Sequence, residues 1–345
     1  MDRKTTHIAV IGAGSWGTAL AISLASSGHD VSLWARRPDA AARMTESRHN
    51  PTYLPDAVIP ASVRITSDLL ESITDATVWV FAVPSHALRE VATRLKSYVQ
   101  PDLIVVSVAK GIENATLMTS TQVLADVLTD LPESQIGVLY GPSHAEEVAA
   151  DVPTAVVAAA NSIRVAEEIQ DIFMTKRLRV YVNADVRGVE IAGSVKNVMA
   201  VAAGLEEGVG YGDNAKAALI TRGMAEIRRL GLALGADPST FSGLAGIGDL
   251  VVTCMSRHSR NRYLGEQVGR GRSLAEVEAE MDMVAEGVRT TKSVYELAKK
   301  LDIDMPITEA VYQILFEGKK PAEAVDDLMN RAAKREDWLP DAVDG

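Results

Sequence analysis

The first forty residues constrain the fold of this 345-residue chain more than any other segment. The apolar run HIAVI at 7–11 leads directly into the glycine-rich turn GAGSWG at 12–17. The helical pattern TALAISLASSG follows, and then a second apolar run, DVSLW, at 30–34. A strand, a glycine-rich turn, a helix and a second strand in this order predict a parallel β-α-β unit that holds a dinucleotide.

Each glycine of the turn has its own predicted role. Gly12 makes the tight turn, Gly14 lets the backbone approach a pyrophosphate, and Gly17 lets the helix pack closely on the strand. The helix then directs its N-terminal N–H groups and the positive end of its dipole toward the phosphates. The alternative is a glycine-rich turn that binds nothing, which the surrounding β-α-β pattern disfavours.

Five more apolar runs, separated by helical patterns, predict further strands at 77–83, 103–108, 136–140, 154–159 and 178–182. Most of them are apolar throughout, as strands covered by helices on both faces must be. After Asn183 only helical periods remain. The sequence therefore predicts a Rossmann-type, doubly wound α/β fold with a mainly parallel sheet at 1–184. An all-α domain at 185–335 and a polar tail at 336–345 are expected to follow.

Composition excludes several classes of protein. The chain has 46 acidic and 35 basic residues, a net charge of -11, which argues against binding nucleic acid or anionic membranes across the whole surface. Cys254 is the only cysteine, so an internal disulfide is impossible, and it is expected to be a small core residue. The six histidines lack metal-ligand spacing, so no metal is expected. No signal peptide or membrane-spanning run is recognisable, which favours the cytoplasm.

The end of the second predicted strand bears on cofactor choice. An NAD-selective site has Asp or Glu there, to bind the ribose hydroxyls. Here the strand end reads WARRP, so Arg36 and Arg37 stand where a 2′-phosphate would lie. We therefore expect NADP(H) to be preferred, with NAD(H) possible. The alternative is a solvated turn in which Asp39 neutralises one arginine.

A lysine, Lys196, lies within the apolar helical run RGVEIAGSVKNVMAVAAGLEEG. Burying an ammonium group is costly unless the group is paired or faces a cleft. The expected packed stripe of this helix is formed by Val195, Val198, Ala202 and Leu205. Small residues share the face of the lysine instead: Ala192, Gly193, Ala200 and Ala203. The space beside them admits either a neighbouring backbone or a substrate.

Hydride chemistry gives a reason for an amine in this position. Oxidation of a secondary alcohol sends a hydride to a nicotinamide and a proton to a base. Apolar walls and nearby cations lower the pKa of a lysine toward neutral pH. Lys196 is therefore the candidate base, and Lys110, at the end of the fourth main strand, is a second candidate cation.

Two later stretches contain further candidates. GIGDLVVTC places Asp249 just after a glycine turn, and SRHSRNRYLGEQ places Ser259, Arg260 and Asn261 at a predicted helix start. A helix N-terminus with these side chains suits a phosphate. A solvated basic turn explains the same residues equally well, and their spacing does not decide between the two.

Eight motifs in order resemble bacterial-type NAD(P)-dependent glycerol-3-phosphate dehydrogenases over nearly the whole chain. They are GAGSWGTALA, VFAVPSHALR, AKGIE, GPSHAEEVA, GSVKNVMAVAAG, GLAGIGDLVVTC, SRNRYLG and VAEGV. The resemblance implies interconversion of sn-glycerol 3-phosphate and dihydroxyacetone phosphate for phospholipid synthesis, by a protein that often forms homodimers.

The resemblance also implies a set of site residues. Lys196 would be the proton acceptor. The implied substrate contacts are Lys110, Gly141, Ser143, Lys196, Asp249, Ser259, Arg260 and Asn261. The implied cofactor contacts are Ser15, Trp16, Arg36, Arg37, Lys110, Ala145, Arg260, Val284 and Glu286.

Two rival hypotheses remain at this point. One is another dehydrogenase of the same build, acting on a hydroxyacid or a sugar phosphate. The other is a dinucleotide-sensing protein that binds the cofactor without turnover and needs no base at Lys196.

Overall fold

The structure is a computed structural model that describes residues 5–281, 283–333 and 336. Ten strands form within these residues. They are β1 His7–Ile11, β2 Asp30–Trp34, β3 His49–Asn50, β4 Leu54–Val58, β5 Arg64–Thr66, β6 Val78–Phe81, β7 Ile104–Ser107, β8 Ile136–Tyr140, β9 Thr154–Ala160 and β10 Leu178–Asn183. Apart from residue 336, the predicted polar tail lies outside the described residues.

Helices cover the sheet and form the second half of the chain. Those up to β10 are α1 Ser15–Ser26, α2 Pro38–Ser47, α3 Leu69–Ser72, α4 Leu88–Leu95, α5 Ser120–Val127, α6 Ala145–Ala149 and α7 Ile163–Phe173. Those after it are α8 Val186–Val209, α9 Asp213–Ala233, α10 Asp249–Met255, α11 Arg260–Gly269, α12 Leu274–Glu280, α13 Glu286–Lys300, α14 Pro306–Phe316 and α15 Pro321–Met329.

Eight strands form one sheet in the order β10-β9-β8-β7-β6-β1-β2-β5. Every pair in it is parallel except β8 and β9, which are antiparallel. The mainly parallel, doubly wound sheet followed by helices is thus confirmed, and all seven predicted strands are present. Strand order reverses between β1 and β6, and such a reversal opens a crevice at the carboxyl ends of the strands, where ligands bind.

Helix α8 is the central element of the helical half, buried along most of its 24 residues. The predicted stripe of Val195, Val198, Ala202 and Leu205 is buried, as expected. The small residues beside Lys196 are buried too. A Cβ on Gly193 would lie 2.5 Å from Cδ2 of Tyr140, so a neighbouring side chain occupies that space. At Gly193 the hypothesis that the small residues leave room for a substrate is therefore wrong, and none of the four lines the large cavity at the carboxyl ends of β1, β2 and β6.

Helices α8 and α11 approach each other until their backbones touch. A Cβ on Gly204 of α8 would lie 2.0 Å from the carbonyl oxygen of Arg262. Conversely, a Cβ on Gly265 of α11 would lie 2.1 Å from the carbonyl oxygen of Val201. This contact fixes the start of α11 relative to the middle of α8, where Lys196 lies.

Candidate active site

A cavity of about 520 Å³ opens at the carboxyl ends of β1, β2 and β6 and extends to the helical half. Most predicted site residues line it, namely Gly12, Gly14, Ser15, Trp16, Arg36, Arg37, Lys110, Ser143, Lys196, Asp249, Ser259, Arg260, Asn261, Val284 and Glu286. Gly17, Gly141 and Ala145 are absent from the lining. Ala145, at the start of α6, packs instead in a small cluster with Ala19 and Leu54.

The glycine turn has the geometry that a dinucleotide requires. Gly12 adopts φ of 121°, and a Cβ there would lie 2.7 Å from the carbonyl oxygen of Ala82. A Cβ on Gly17 would lie 1.9 Å from the carbonyl oxygen of Gly12, so Gly17 packs on the turn itself. A Cβ on Gly14 meets no atom within 4 Å. This open backbone at the N-terminus of α1 suits a pyrophosphate.

The arginines after β2 lie exposed at one end of the cavity. Asp39 forms its salt bridge with Arg43, at 2.9 Å, instead of with either of them. Across the described part of the chain, Arg36 and Arg37 take part in no salt bridge. Arg37 still lies close enough to lower the pKa of the Asp39 carboxyl group, after the larger effect of Arg43, so part of that alternative stands. Both guanidinium groups face the cavity.

At the other end of the cavity, two lysines share one buried carboxylate. Lys196 Nζ donates to Asp249 Oδ1 at 2.5 Å and to Thr253 Oγ1 at 2.7 Å. Lys110 Nζ donates to Asp249 Oδ2 at 2.7 Å and to the carbonyl oxygen of Gly141 at 2.9 Å. Gly141 therefore orients Lys110 through its backbone. Both carboxylate oxygens of Asp249 therefore accept hydrogen bonds from lysines. The prediction of Asp249 as a substrate contact did not include these bonds.

Burial sets the protonation of this cluster. It lowers the pKa of Lys196 to about 8, with Lys110 acting in the same direction and Asp249 opposing. Burial alone would raise the pKa of Asp249, but the two ammonium groups outweigh it and hold that pKa below the usual value. The carboxylate thus stays ionised, while Lys196 changes charge close to neutral pH.

The start of α11 supplies a cation and a helix N-terminus. Ser259 caps the helix, since its Oγ accepts from the backbone N–H of Arg262 at 3.3 Å. The helix start predicted here is confirmed. Arg262 is buried and paired with Glu207, at 2.7 Å, so it is structural. Arg260 is exposed in the cavity and has no salt-bridge partner within the described ranges.

Three polar side chains hold neighbouring elements together at the cavity wall. Asn261 donates to Asn197 Oδ1 at 2.9 Å, and its own Oδ1 accepts from the backbone N–H of Gly287 at 2.9 Å. Glu286 accepts from the N–H of Ser85 at 3.0 Å and from its Oγ at 2.5 Å. These bonds join α8, α11 and α13 to each other and to the loop after β6.

Two family models match the chain. The N-terminal model of NAD-dependent glycerol-3-phosphate dehydrogenase matches residues 7–166, and the C-terminal model matches residues 185–326. The chain belongs to the NAD-dependent glycerol-3-phosphate dehydrogenase family.

Individual glycerol-3-phosphate dehydrogenases match over almost their entire length. The chain is 63% identical to glycerol-3-phosphate dehydrogenase (NAD(P)+) 2 of Salinibacter ruber, over 98% of each sequence. It is 56% identical to glycerol-3-phosphate dehydrogenase (NAD(P)+) of Chlorobium phaeobacteroides, over 95% of this chain and 98% of that protein. The crystal structure of the Coxiella burnetii glycerol-3-phosphate dehydrogenase superposes with a TM-score of 0.91 at 40% identity, covering 95% and 99% of the two chains.

The cavity of this glycerol-3-phosphate dehydrogenase family member includes side chains that the sequence analysis missed. Thr253 lies one helical turn after Asp249, a spacing that places the two on one face and was a usable signal. His144 and His258 also line the cavity, and each stands directly beside a predicted site residue, Ser143 and Ser259, which was a second usable signal. Asn50 comes to the cavity only through tertiary contacts, so sequence spacing held no signal for it.

Asn50, in β3, fixes the glycine turn from the opposite side. Its Nδ2 donates to the carbonyl oxygen of Ala13 at 3.0 Å and to Thr18 Oγ1 at 2.8 Å. Its Oδ1 accepts from the backbone N–H of Tyr53 at 3.3 Å. Because the side chain is buried, these bonds are shielded from water and hold the turn rigidly.

Replacing Asn50 by alanine is expected to raise the Kd for NADPH about tenfold. Without the hydrogen bonds of Asn50, the glycine turn must be ordered when the cofactor binds, and this ordering costs binding free energy. Fluorescence titration of NADPH measures this change. Asn161→Ala, at an exposed asparagine far along the chain, is the matched control and should leave Kd unchanged. An unaltered Kd in Asn50→Ala would mean that the turn keeps its shape without these bonds.

Other groups near the site are inert. Cys254 is fully buried, and burial raises the pKa of its thiol to about 12, which confirms a core residue and not a nucleophile.

Within the residues that the structure describes, no group of three or more His, Cys, Asp or Glu side chains is arranged to hold a metal ion. Across the same residues, no helix is long and apolar enough to span a membrane.

Proposed function

We propose that this chain interconverts sn-glycerol 3-phosphate and dihydroxyacetone phosphate with NAD(P), in support of glycerophospholipid synthesis. The observation that carries the proposal is the buried Lys196 ammonium, held at the cavity by Asp249 at 2.5 Å and Thr253 at 2.7 Å. A lysine in this setting acts as the proton donor and acceptor for a secondary alcohol.

The hydrogen-bond count of Lys196 leaves one N–H for the substrate. An ammonium has three donors, and Asp249 and Thr253 accept two of them. In ketone reduction the third N–H polarises the carbonyl and its proton passes to the forming alkoxide oxygen. In alcohol oxidation the neutral amine takes the hydroxyl proton. A bound nicotinamide supplies or accepts the hydride.

Lys110 also has one N–H donor left for a ligand. Lys110 gives two of its three donors to Asp249 and to the carbonyl oxygen of Gly141. Its third N–H is free to contact substrate and cofactor where they meet. Ser143, whose Oγ donates to the same Gly141 oxygen at 3.0 Å, keeps its lone pairs for a substrate hydroxyl.

For the phosphate of the substrate we propose the start of α11. Arg260 provides a guanidinium group that forms a salt bridge with no described residue, and the N-terminal N–H groups of the helix add donors beside the cap of Ser259. Asn261 contributes mainly by fixing α11 against α8 and α13 through its two hydrogen bonds.

For the cofactor we propose the glycine turn as the pyrophosphate seat and the β2 arginines as the 2′-phosphate seat. Ser15, Trp16, Val284 and Glu286 line the space between these groups and Lys110. Ala145 and Gly17 act behind the lining, by packing. The homodimer and the cytoplasmic location stay predictions, and size-exclusion chromatography with light scattering measures the first.

Replacing both Arg36 and Arg37 by alanine is expected to weaken NADPH binding about 100-fold, because two charge-assisted contacts to the 2′-phosphate are lost. NADH binding should change only a few-fold. Titration of each cofactor gives the two dissociation constants, and Arg164→Ala, an exposed arginine on α7, is the control. Equal weakening of NADPH and NADH would show that these arginines do not bind the 2′-phosphate.

The test of the whole proposal is the oxidation of NADPH, and separately of NADH, with dihydroxyacetone phosphate as acceptor. Absorbance at the reduced-nicotinamide band should fall with either cofactor, faster with NADPH. Oxidation with hydroxyacid-derived ketones but not with dihydroxyacetone phosphate would support the rival dehydrogenase. Cofactor binding without oxidation by any ketone would support the sensor.

A further inference from the structure

Two histidines from opposite sides of the cavity meet beside Lys196. His144 lies in the segment between β8 and α6, and His258 lies in the segment between α10 and α11. Their ring centroids are 5.6 Å apart, with the planes inclined by 51°. Both rings line the cavity, next to Ser259 and Arg260.

One ring nitrogen of this pair lacks a hydrogen-bond partner. Nε2 of His144 is buried, and none of the described residues provides a donor or acceptor for it. A buried polar atom without a partner is unfavourable, so such atoms in a ligand cavity point to a group that arrives with the ligand. The neighbouring His258 ring is exposed and equally open to that group.

Charge counting indicates what the group is. Lys110 and Lys196 share the single carboxylate of Asp249, so one positive charge remains at the reacting end. The cation beside the histidines is Arg260, which lies near the carboxylates of Glu286 and Glu146 but forms a salt bridge with no described residue. A phosphate monoester carries a charge between about −1.5 and −2 at neutral pH, which one guanidinium cannot balance. Imidazole rings supply both the missing N–H donors and, when protonated, the missing charge.

We propose that His144 and His258 together bind the phosphate group of the substrate, one ring from each side of the cavity, and so select phosphorylated substrates. The inference rests on the proposed function and adds two specificity-determining residues to it. Because His144 lies beside the sheet and His258 lies among the helices, an anion bound by both rings contacts both halves of the molecule.

The charged groups around His144 fix the sign of its response to pH. Burial lowers the pKa of His144, and Lys196 of α8 and His258 lower it further, while Glu146 and Glu147 of α6 raise it. A dianion against the ring favours the protonated form. Phosphate binding by this pair should therefore weaken as the pH rises through the pKa of the bound histidine.

The experiment compares two ketones in five proteins: the wild type, two single variants, the double variant and a control variant. Dihydroxyacetone keeps the reacting carbonyl of dihydroxyacetone phosphate and lacks the phosphate. His144→Asn and His258→Asn are each expected to lower kcat/KM for dihydroxyacetone phosphate about tenfold, and the double variant about 100-fold, chiefly through KM. For dihydroxyacetone kcat/KM should stay within a few-fold, and the preference for the phosphorylated ketone should lose part of its pH dependence.

His7→Asn is the matched control, because this exposed ring on β1 pairs with Asp30 away from the cavity lining. His258→Asn alters an exposed ring, so the test does not depend on how His144→Asn folds. Equal losses with both ketones would overturn the phosphate role, as would an unchanged preference in the double variant. If the wild-type protein does not reduce dihydroxyacetone phosphate, the proposed function itself is overturned. The two failures are therefore distinguishable.

Discussion

Lys196→Ala is expected to lower kcat for reduction of dihydroxyacetone phosphate by about 10²- to 10⁴-fold, the usual contribution of a general acid. Asp249 keeps its bond to Lys110, so the fold and the cofactor end of the cavity should persist. Kd for NADPH should accordingly stay within a few-fold. Steady-state kinetics and NADPH titration measure the two quantities.

Lys300→Ala is the control for this change, since it removes an exposed ammonium at the end of α13. Turnover near the wild-type rate in Lys196→Ala would exclude the lysine as the proton donor. It would also remove the observation on which the proposed function depends.

Asp249→Asn is expected to lower kcat/KM for dihydroxyacetone phosphate at pH 7 by about 100-fold and to shift the pH profiles to lower pH. Reduction needs charged Lys196, so in the wild type the rate is high below the pKa of about 8 and falls above it. Oxidation needs neutral Lys196, so its rate rises through the same range. Without the carboxylate the pKa of Lys196 falls, and both profiles move in the acid direction.

The pH dependence of kcat in both directions measures this shift, and thermal unfolding reports the cost of leaving the buried Lys196 and the half-buried Lys110 without a carboxylate. That cost is about 3–5 kcal/mol for a broken buried pair. Asp171→Asn, at an exposed position on α7, is the control. Profiles that keep their wild-type midpoints would mean that Asp249 does not set the protonation of Lys196.

The positions of the main strands along the chain could be predicted because most of them are continuous apolar runs bounded by turns, whereas their order in the sheet was not predicted. Three strands escaped prediction, since β3, β4 and β5 are two to five residues long and their residues are largely polar or exposed. The reversed direction of β9, and of β10, which pairs parallel with β9, escaped as well. The 13 residues that connect β8 to β9, 141–153, include α6 and are long enough for a parallel crossover, so the length of this connection does not indicate the direction of β9.

Most of the predicted site residues line the cavity, but the hydrogen bonds that join them could not be predicted from the sequence. Lys196 and Asp249 are 53 positions apart and Lys110 and Asp249 are 139 apart, so no local pattern reports that one carboxylate serves both lysines. The same holds for His144 and His258, which meet only when the sheet and the helices pack. Burial of Lys196 was inferred correctly, but Gly193, one of the small residues beside it, packs against the ring of Tyr140.

The glycine contact between α8 and α11 limits which positions of this protein can accept a larger side chain. With Gly204 and Gly265 in backbone contact, almost any side chain there would push Arg260 away from Lys196. The arginines after β2 lie on an exposed turn far from this contact. Under the proposed assignment of these arginines to the 2′-phosphate, cofactor preference can therefore be re-engineered without altering the contact between α8 and α11.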